Sequence, residues 1–434
     1  MIIKKVVDLL KDYQNRGGFH IFGSNVYAKV SGFLASLVIV RLLTSDIYGS
    51  ISYASSIIAI ISPFAGFGAM YSLLRFGPIS SSDEEKNLLF RYSLTRGAFF
   101  SSIIIFFLIL FSWIYSFKIE SARIFLVILS FSLLTSGLFE ILQSFKRIKK
   151  KNKEYAISNI INSSLGFSLS LVGVILFSGY GYAVSSVITP LIVFILFYIR
   201  LDKKSLDYGN AFLDLDKKKF WFYGFNVGLG SIAGQILYSL DIFLIGLLLA
   251  DARIIALYKV ATIIPYNLIF IPISFMTTDF VLIAENFKDI YFLKEQAKKY
   301  IILFSVLVIV ILIPFYLFSE PLIKIIFGNN YENSYQIARV LIIGIAGGFV
   351  FRIPFGNILG AVGKAHWNVL NAYCMLFINI LLDYFFIIKY GAIGAAYATS
   401  IIMWASGILS FLMFLLYIKK LEDSFNKENR QRNI

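Results

Sequence analysis

The chain has 434 residues, 58% of them hydrophobic and only 15% charged, with 44 Phe, 26 Tyr and a mean hydropathy of +0.78. A water-soluble chain needs about a quarter of its residues charged to cover its core, so a soluble enzyme, a disordered regulator and a disulfide-braced secreted domain are excluded. Two His and one Cys leave little for metal or thiol chemistry, and 40 Lys plus Arg against 25 Asp plus Glu give a net charge of +15. In a chain this apolar, that excess speaks of membrane orientation rather than of nucleic acid. The composition predicts an all-α polytopic membrane protein.

In chain order, residues 1–19 come first. Ile2, Val6, Leu9, Leu10 and Tyr13 recur at helical spacing, with Lys4, Lys5, Lys11 and Arg16 between them. This predicts a short amphipathic helix lying on the cytoplasmic membrane surface. It does not read as a secretory signal, because the apolar run that follows is too long, carries Lys29 and Arg41, and lacks a small-residue cleavage site.

A membrane-crossing helix needs about 20 mostly apolar residues, and twelve stretches qualify. In the first half they are His20–Leu43, Tyr48–Tyr71, Tyr92–Ile114, Ala122–Ser144, Ala156–Phe177 and Tyr182–Tyr198. In the second half they are Trp221–Leu249, Ile254–Ile283, Tyr300–Phe318, Ile337–Val362, Trp367–Ile388 and Ala392–Ile418. An N-lobe over 20–201 and a C-lobe over 220–418 are thus predicted, six spans each. A Lys- and Asp-rich linker joins them over 202–219, and a tail follows over 419–434. Of the 40 basic residues, 29 fall in the loops on the side of the two termini, most densely at Lys146–Lys153. Both termini are therefore expected in the cytoplasm.

The two halves echo each other. Gly179-Tyr-Gly-Tyr-Ala-Val-Ser185 between spans five and six matches Gly394-Ala-Ala-Tyr-Ala-Thr-Ser400 at the start of span twelve. Ile141-Leu142 before Lys146 matches Ile358-Leu359 before Lys364. Six spans preserve sidedness, so the halves share one topology, an arrangement in which transporters place the substrate path between repeats.

No hydrolase or transferase constellation is present. The stretch Leu359–Ala365 has a P-loop look but lacks its first Gly and the Ser/Thr after Lys364 that would hold Mg²⁺. Gly230/Gly234, Gly344/Gly348 and Gly356/Gly360 are spaced for close helix approach, and Pro354 predicts a bend in span ten. Cys374, in an apolar run, reads as inert packing. The sharpest signals are ionisable residues at membrane depth, each costing about 2.5–3.5 kcal/mol at a helix centre. Arg352 lies near mid-membrane, Lys29 in the inner half of span one, and Lys259 and Asp241 in the outer halves of spans eight and seven. Arg41, Arg96, Arg339, Asp279 and Asp383 are nearer span ends, where snorkelling to the interface explains them equally well. For Asp241 the competing structural reading is a salt bridge to Lys259 or Lys29, and for Arg352 an internal ion pair. Basic residues outnumber acids at depth, so a wet cavity with a cationic lining would attract an anion such as a phosphate.

One family shares these features. Arg41, Leu43, Tyr48, Gly49, Tyr53 and Ala54 resemble the signature that follows the first span of bacterial polysaccharide repeat-unit (O-antigen) flippases. Those proteins belong to the multidrug/oligosaccharidyl-lipid/polysaccharide exporter superfamily. Asp241 with Tyr258 and Ala261, Asn357–Lys364, and Tyr390–Thr399 extend the resemblance along the whole chain. It implies a two-lobed fold of about twelve helices around a central cavity in the bacterial inner membrane. It implies as cargo an undecaprenyl-pyrophosphate-linked oligosaccharide, with a glycan polymerase and a chain-length regulator as membrane partners. No cofactor is implied, and transport is expected to draw on an H⁺ or Na⁺ gradient. Membrane depth then nominates Arg352, Lys29, Lys259 and Arg41 for the substrate and Asp241 with Asp383 for coupling, with no catalytic residue and no metal site. A cation-coupled drug exporter of the same superfamily is the alternative, although it would favour an acidic cavity. A lipid II flippase would have two more spans. A polymerase or ligase of lipid-linked glycans would need a large outer catalytic loop, and the longest here, 319–336, offers only Glu320, Lys324 and Glu332 as charges.

Overall fold

The computed structural model of the chain describes residues 18–80, 82–201 and 216–432. The amphipathic segment expected over 1–19 and the linker expected over 202–219 fall almost wholly outside the described residues. Among those residues every regular element is helical. The chain divides into two compact units, 1–235 and 236–434.

The first unit opens with α1 (Gly18–Leu42) and α2 (Ser45–Ile61), followed by a tight 3₁₀ segment at Ser62–Gly68 and by α3 (Ala69–Phe76). Pro63 opens that segment, and Gly66, Phe67 and Gly68 all take positive φ. Span two is thereby broken in its middle. Next come α4 (Asp83–Ile114), α5 (Glu120–Ser130), α6 (Ser132–Ile148), α7 (Asn152–Ile199) and α8 (Lys217–Leu249). The N-terminal part of α8 seals the unit: Ser72 Oγ donates to the Phe220 carbonyl at 2.7 Å, and Trp221 Nε1 donates to Tyr92 Oη at 2.9 Å. The core gathers Leu73, Phe90, Leu142, Phe145, Val193 and Phe220. Lys146 is buried beside it, its ammonium 2.9 Å from Glu154 and 4.3 Å from the centre of the Phe197 ring. Charge and stem are both accommodated at the end of the helix pair.

The helix α7 explains part of the span count. Forty-eight residues in one straight helix would reach about 72 Å, more than twice the roughly 30 Å hydrocarbon thickness. The chain reverses at Ser178 (φ 53°, ψ −135°) instead, making two antiparallel arms. Ser185 Oγ donates across to the Leu169 carbonyl at 2.8 Å, and Gly173 lies directly on Gly181. A Cβ on Gly181 would stand 1.9 Å from the Gly173 carbonyl oxygen, so only glycine permits the approach. Ten helical stretches among the described residues are long and apolar enough to cross a membrane, against twelve expected. The predicted spans 156–177 and 182–198 share one of the ten, and span seven is represented only by its apolar part Ser239–Leu249.

Gly181→Ala should cost about 1–3 kcal/mol as an overpacked contact and lower the melting temperature of the purified protein by several degrees. Gly23→Ala, where a Cβ meets nothing within 4 Å, should leave it unchanged.

The second unit holds the rest of α8, then α9 (Ala252–Leu268), α10 (Phe270–Glu285), α11 (Ile290–Leu307), α12 (Ile313–Phe327), α13 (Ser334–Gly347), α14 (Ile353–Ala361), α15 (Ala365–Tyr390) and α16 (Ala392–Arg432). Two of its spans contain a π-helical turn, Val308–Leu312 and Gly348–Arg352, each ending two residues before a proline, Pro314 and Pro354. Proline offers no N–H to the preceding turn, and a widened turn is a common way for a helix to absorb that loss. The bend predicted at Pro354 takes this form. The repeat has a counterpart here: Gly394 backs onto the Phe386 carbonyl eight residues earlier, as Gly181 does on Gly173. Both copies of the motif thus mark a helical hairpin. Gly344 presses on Ser400, whereas the Gly230/Gly234 pair lies where no side chains are described. Cys374 is exposed on α15 rather than packed. In a membrane chain an apolar run presents one face to lipid, so apolar neighbours in sequence do not imply burial.

Candidate functional site

Among the described residues three polar assemblies interrupt the apolar interior, and each lies within one unit. The first joins α8, α9, α15 and α16 of the second unit. Asp241 is 1% exposed and Asp383 is fully buried, so neither snorkels to an interface, and the span-end reading of Asp383 is corrected. Tyr258 and Thr399 both donate their hydroxyls to Asp241 Oδ2, the latter at 2.7 Å. Asn379, one turn before Asp383 on α15, donates its amide to Asp383 Oδ2 at 3.0 Å. The two carboxyls lie within hydrogen-bonding reach of each other, and each keeps its Oδ1 without a donor. A proton placed between them, or a small cation taking their oxygens, would satisfy both. The salt bridge from Asp241 to Lys259 or Lys29 is replaced by hydroxyl donors. The reason is geometric: Tyr258, not Lys259, points from α9 into the cluster.

The second assembly surrounds Arg352 at the end of the π-helical turn. Its Nη1 donates to Ser406 Oγ, Ser406 in turn donates to Asn371 Oδ1 at 3.3 Å, and the Asn371 amide reaches the Ser406 carbonyl and Ser410 Oγ, both at 2.9 Å. These groups border a space of about 120 Å³ together with Gly356 and Asn368. A space of that volume holds several waters, and so has room for a group of phosphate size. The widened turn and Pro354 set the guanidinium's position on its helix, and the serine–asparagine chain fixes its orientation.

The third is a cavity of about 510 Å³ in the first unit, walled by α1, α6 and both arms of α7. Half of its described lining residues carry serine, threonine or amide side chains, and Glu140 is the one ionisable carboxyl among them. The sequence reading missed it, although Asn159, Asn162, Ser163, Gly166 and Ser170 form a polar stripe at helical spacing.

Of the predicted residues, the structure brings Asp241 and Asp383 together. Lys29 and Arg41 are exposed on α1, about 18 Å apart along its axis. Lys259 is partly exposed on α9 and makes no ion pair with a described residue. Asp279 accepts from the Tyr300 hydroxyl at 2.7 Å. Arg339 donates to the Tyr316 carbonyl and Ser319 Oγ and lies over the Tyr335 ring, a wholly structural set of partners.

Comparison with known proteins places these assemblies in context. The profile of a family described as polysaccharide biosynthesis proteins matches residues 38–336. A Shigella flexneri protein named "Putative O-antigen transporter" is 28% identical over 271 residues. That match covers 61% of this chain and 64% of the relative, so it spans less than two thirds of the curated protein's length. Among solved structures, the lipid II flippase MurJ in an inward closed conformation superposes with a TM-score of 0.73 at 14% identity, covering 92% of this chain and 89% of that one. An inward-facing multidrug resistance MATE family transporter of the MOP superfamily also gives 0.73, at 13% identity, covering 91% and 96%. At such identities the likeness is one of fold.

Proposed function

Since the chain belongs to the polysaccharide biosynthesis protein family and has a multi-pass helical fold like those of flippases and exporters, we propose that it flips a lipid-linked oligosaccharide, carried on undecaprenyl pyrophosphate, from the cytoplasmic to the outer leaflet of a bacterial inner membrane. The observation that carries this reading is the fixed guanidinium of Arg352, held inside a span beside a phosphate-sized space. A pyrophosphate crossing hydrocarbon needs a counter-charge and hydrogen-bond donors on its way. Arginine supplies both in a form that does not lose its proton. Lys29 and Arg41 on the first unit and Lys259 on the second are the further basic residues this reading nominates for the substrate.

Alternating access powered by an ion gradient completes the reading. Asp241 and Asp383 form the coupling site: two carboxyls, each with an Oδ1 that receives no donor, and a threonine hydroxyl offer oxygen to a proton or Na⁺. The resemblance of the fold to MATE transporters supports coupling of this kind. Loop charge supports cytoplasmic termini. A glycan polymerase and a chain-length regulator would act on the product beyond the membrane.

The test is a strain that makes the lipid-linked glycan but lacks this protein. Glycan-diphospholipid should accumulate facing the cytoplasm, and restoring the chain should bring surface glycan back. If the restored chain confers resistance to cationic dyes while glycan stays inside, the drug-exporter reading replaces this one.

A further inference from the structure

The cavity in the first unit has a chemistry opposite to that around Arg352. Among the described residues its wall contains no Lys or Arg, and its one ionisable carboxyl, Glu140, faces the space with no hydrogen bond or ion pair to any of them. An anion would find no counter-charge among those residues. The rest of the wall is neutral and carries both kinds of hydrogen-bonding group. Gln143 Nε2 is a buried donor with no acceptor, and Asn162 Oδ1 is a buried acceptor with no donor. Several wall hydroxyls already spend their protons on backbone carbonyls: Ser163 on Asn159, Ser186 on Tyr182 and Thr189 on Ser185. What they offer the cavity is oxygen lone pairs. A carboxylate adds paired acceptors. Such a wall is complementary to a molecule dense in O–H groups, each of which donates and accepts at one atom.

At about 510 Å³ the cavity falls within the range of about 300–1,000 Å³ common for small-ligand sites. It sits between spans one, four, five and six. In the repeat, spans ten, eleven and twelve of the second unit correspond to four, five and six, and they border the Arg352 space. Where the second unit has a guanidinium, the first has Glu140 and amides.

We propose that this cavity is a subsite for the uncharged saccharide part of the cargo, and that the pyrophosphate is excluded from it. The proposal rests on the lipid-linked oligosaccharide reading above and adds a division of labour to it: sugar hydroxyls go to the first unit's cavity, phosphate to Arg352. Gln143, Asn162 and Glu140 carry the recognition.

The experiment uses the full chain in membrane vesicles, with Cys374→Ser removing its one thiol and Ser163→Cys placing a new one in the cavity wall. The labelling rate of that thiol by a neutral methanethiosulfonate is measured alone, with glucose, with N-acetylglucosamine, with inorganic pyrophosphate, and with NaCl at matched osmolarity. Either sugar should slow labelling severalfold, pyrophosphate and NaCl should not, and Glu140→Gln or Asn162→Ala should weaken the protection. No protection by either sugar overturns the proposal. So does equal protection by pyrophosphate, and protection by Na⁺ alone would make the cavity a cation site instead. Glycan delivery is followed in parallel on the same variant. Delivery without sugar protection removes the subsite and leaves the flippase reading standing; sugar protection without any delivery does the reverse.

Discussion

Asp241→Asn should leave the protein in the membrane at near-normal amount and stop glycan delivery. The amide is the same size, and its oxygen can still accept from Tyr258 and Thr399, so the packing of α8 against α9 and α16 has no reason to fail. What disappears is the negative charge that a proton or Na⁺ would neutralise. An interaction with a charged group contributes about 1.5–3 kcal/mol, roughly ten- to a hundredfold in cation occupancy. Asp383→Asn should behave alike, because the two carboxyls face each other and neither reaches water. Membrane abundance and surface glycan measured on the same cells separate coupling from folding. If both variants accumulate normally and export at the wild-type rate, the pair has no part in coupling.

The second large effect belongs to Arg352. Arg352→Ala should preserve insertion, since Ser406 and Asn371 remain hydrogen-bonded to each other, yet delivery should fall by about a hundredfold or more. A charge-assisted bond contributes roughly 1.5–3 kcal/mol, and a bidentate grip on phosphate makes two. Arg352→Lys keeps the charge without the fork and should retain part of the activity. Arg352→Glu should have none. Were Arg352 purely structural, the alanine variant would instead vanish from the membrane. Normal export by Arg352→Glu would remove this residue from the substrate path.

Composition and span length made the helical membrane fold legible, because hydrocarbon leaves an isolated backbone few alternatives to helix. The hairpin at Ser178 was legible as two spans, but its tightness was not: the Gly173–Gly181 contact joins residues whose meeting depends on a single backbone reversal. Depth alone picked out Asp241. It missed that Asp383 would be buried, since a residue near a span end reaches water or not according to what packs over it. Tyr258 and Thr399 stood in the sequence as marks of resemblance, and the structure gives them a task, as donors to one carboxylate. Asn379 carried a faint signal, one turn from Asp383. The first unit's cavity went unread because serine is so common in the chain that a stripe of it did not register as a wall. A search for polar periodicity within apolar spans would have found it.

The reversal at Ser178 also bears on how the protein is made. With no extended loop between its arms, α7 leaves nothing to be drawn through an insertase as a separate segment. The nascent first arm carries Asn159, Asn162, Ser163 and Ser170 along one side, and that side gains part of its cover only when the second arm, with Tyr182 and Thr189, has emerged and folded back. A ribosome paused between the two would hold a polar stripe against lipid. Co-translational entry of this stretch is therefore best achieved as a pair, and synonymous codon changes that slow synthesis while the first arm has left the ribosome and the second has not should matter more to the yield of this protein than the same changes elsewhere.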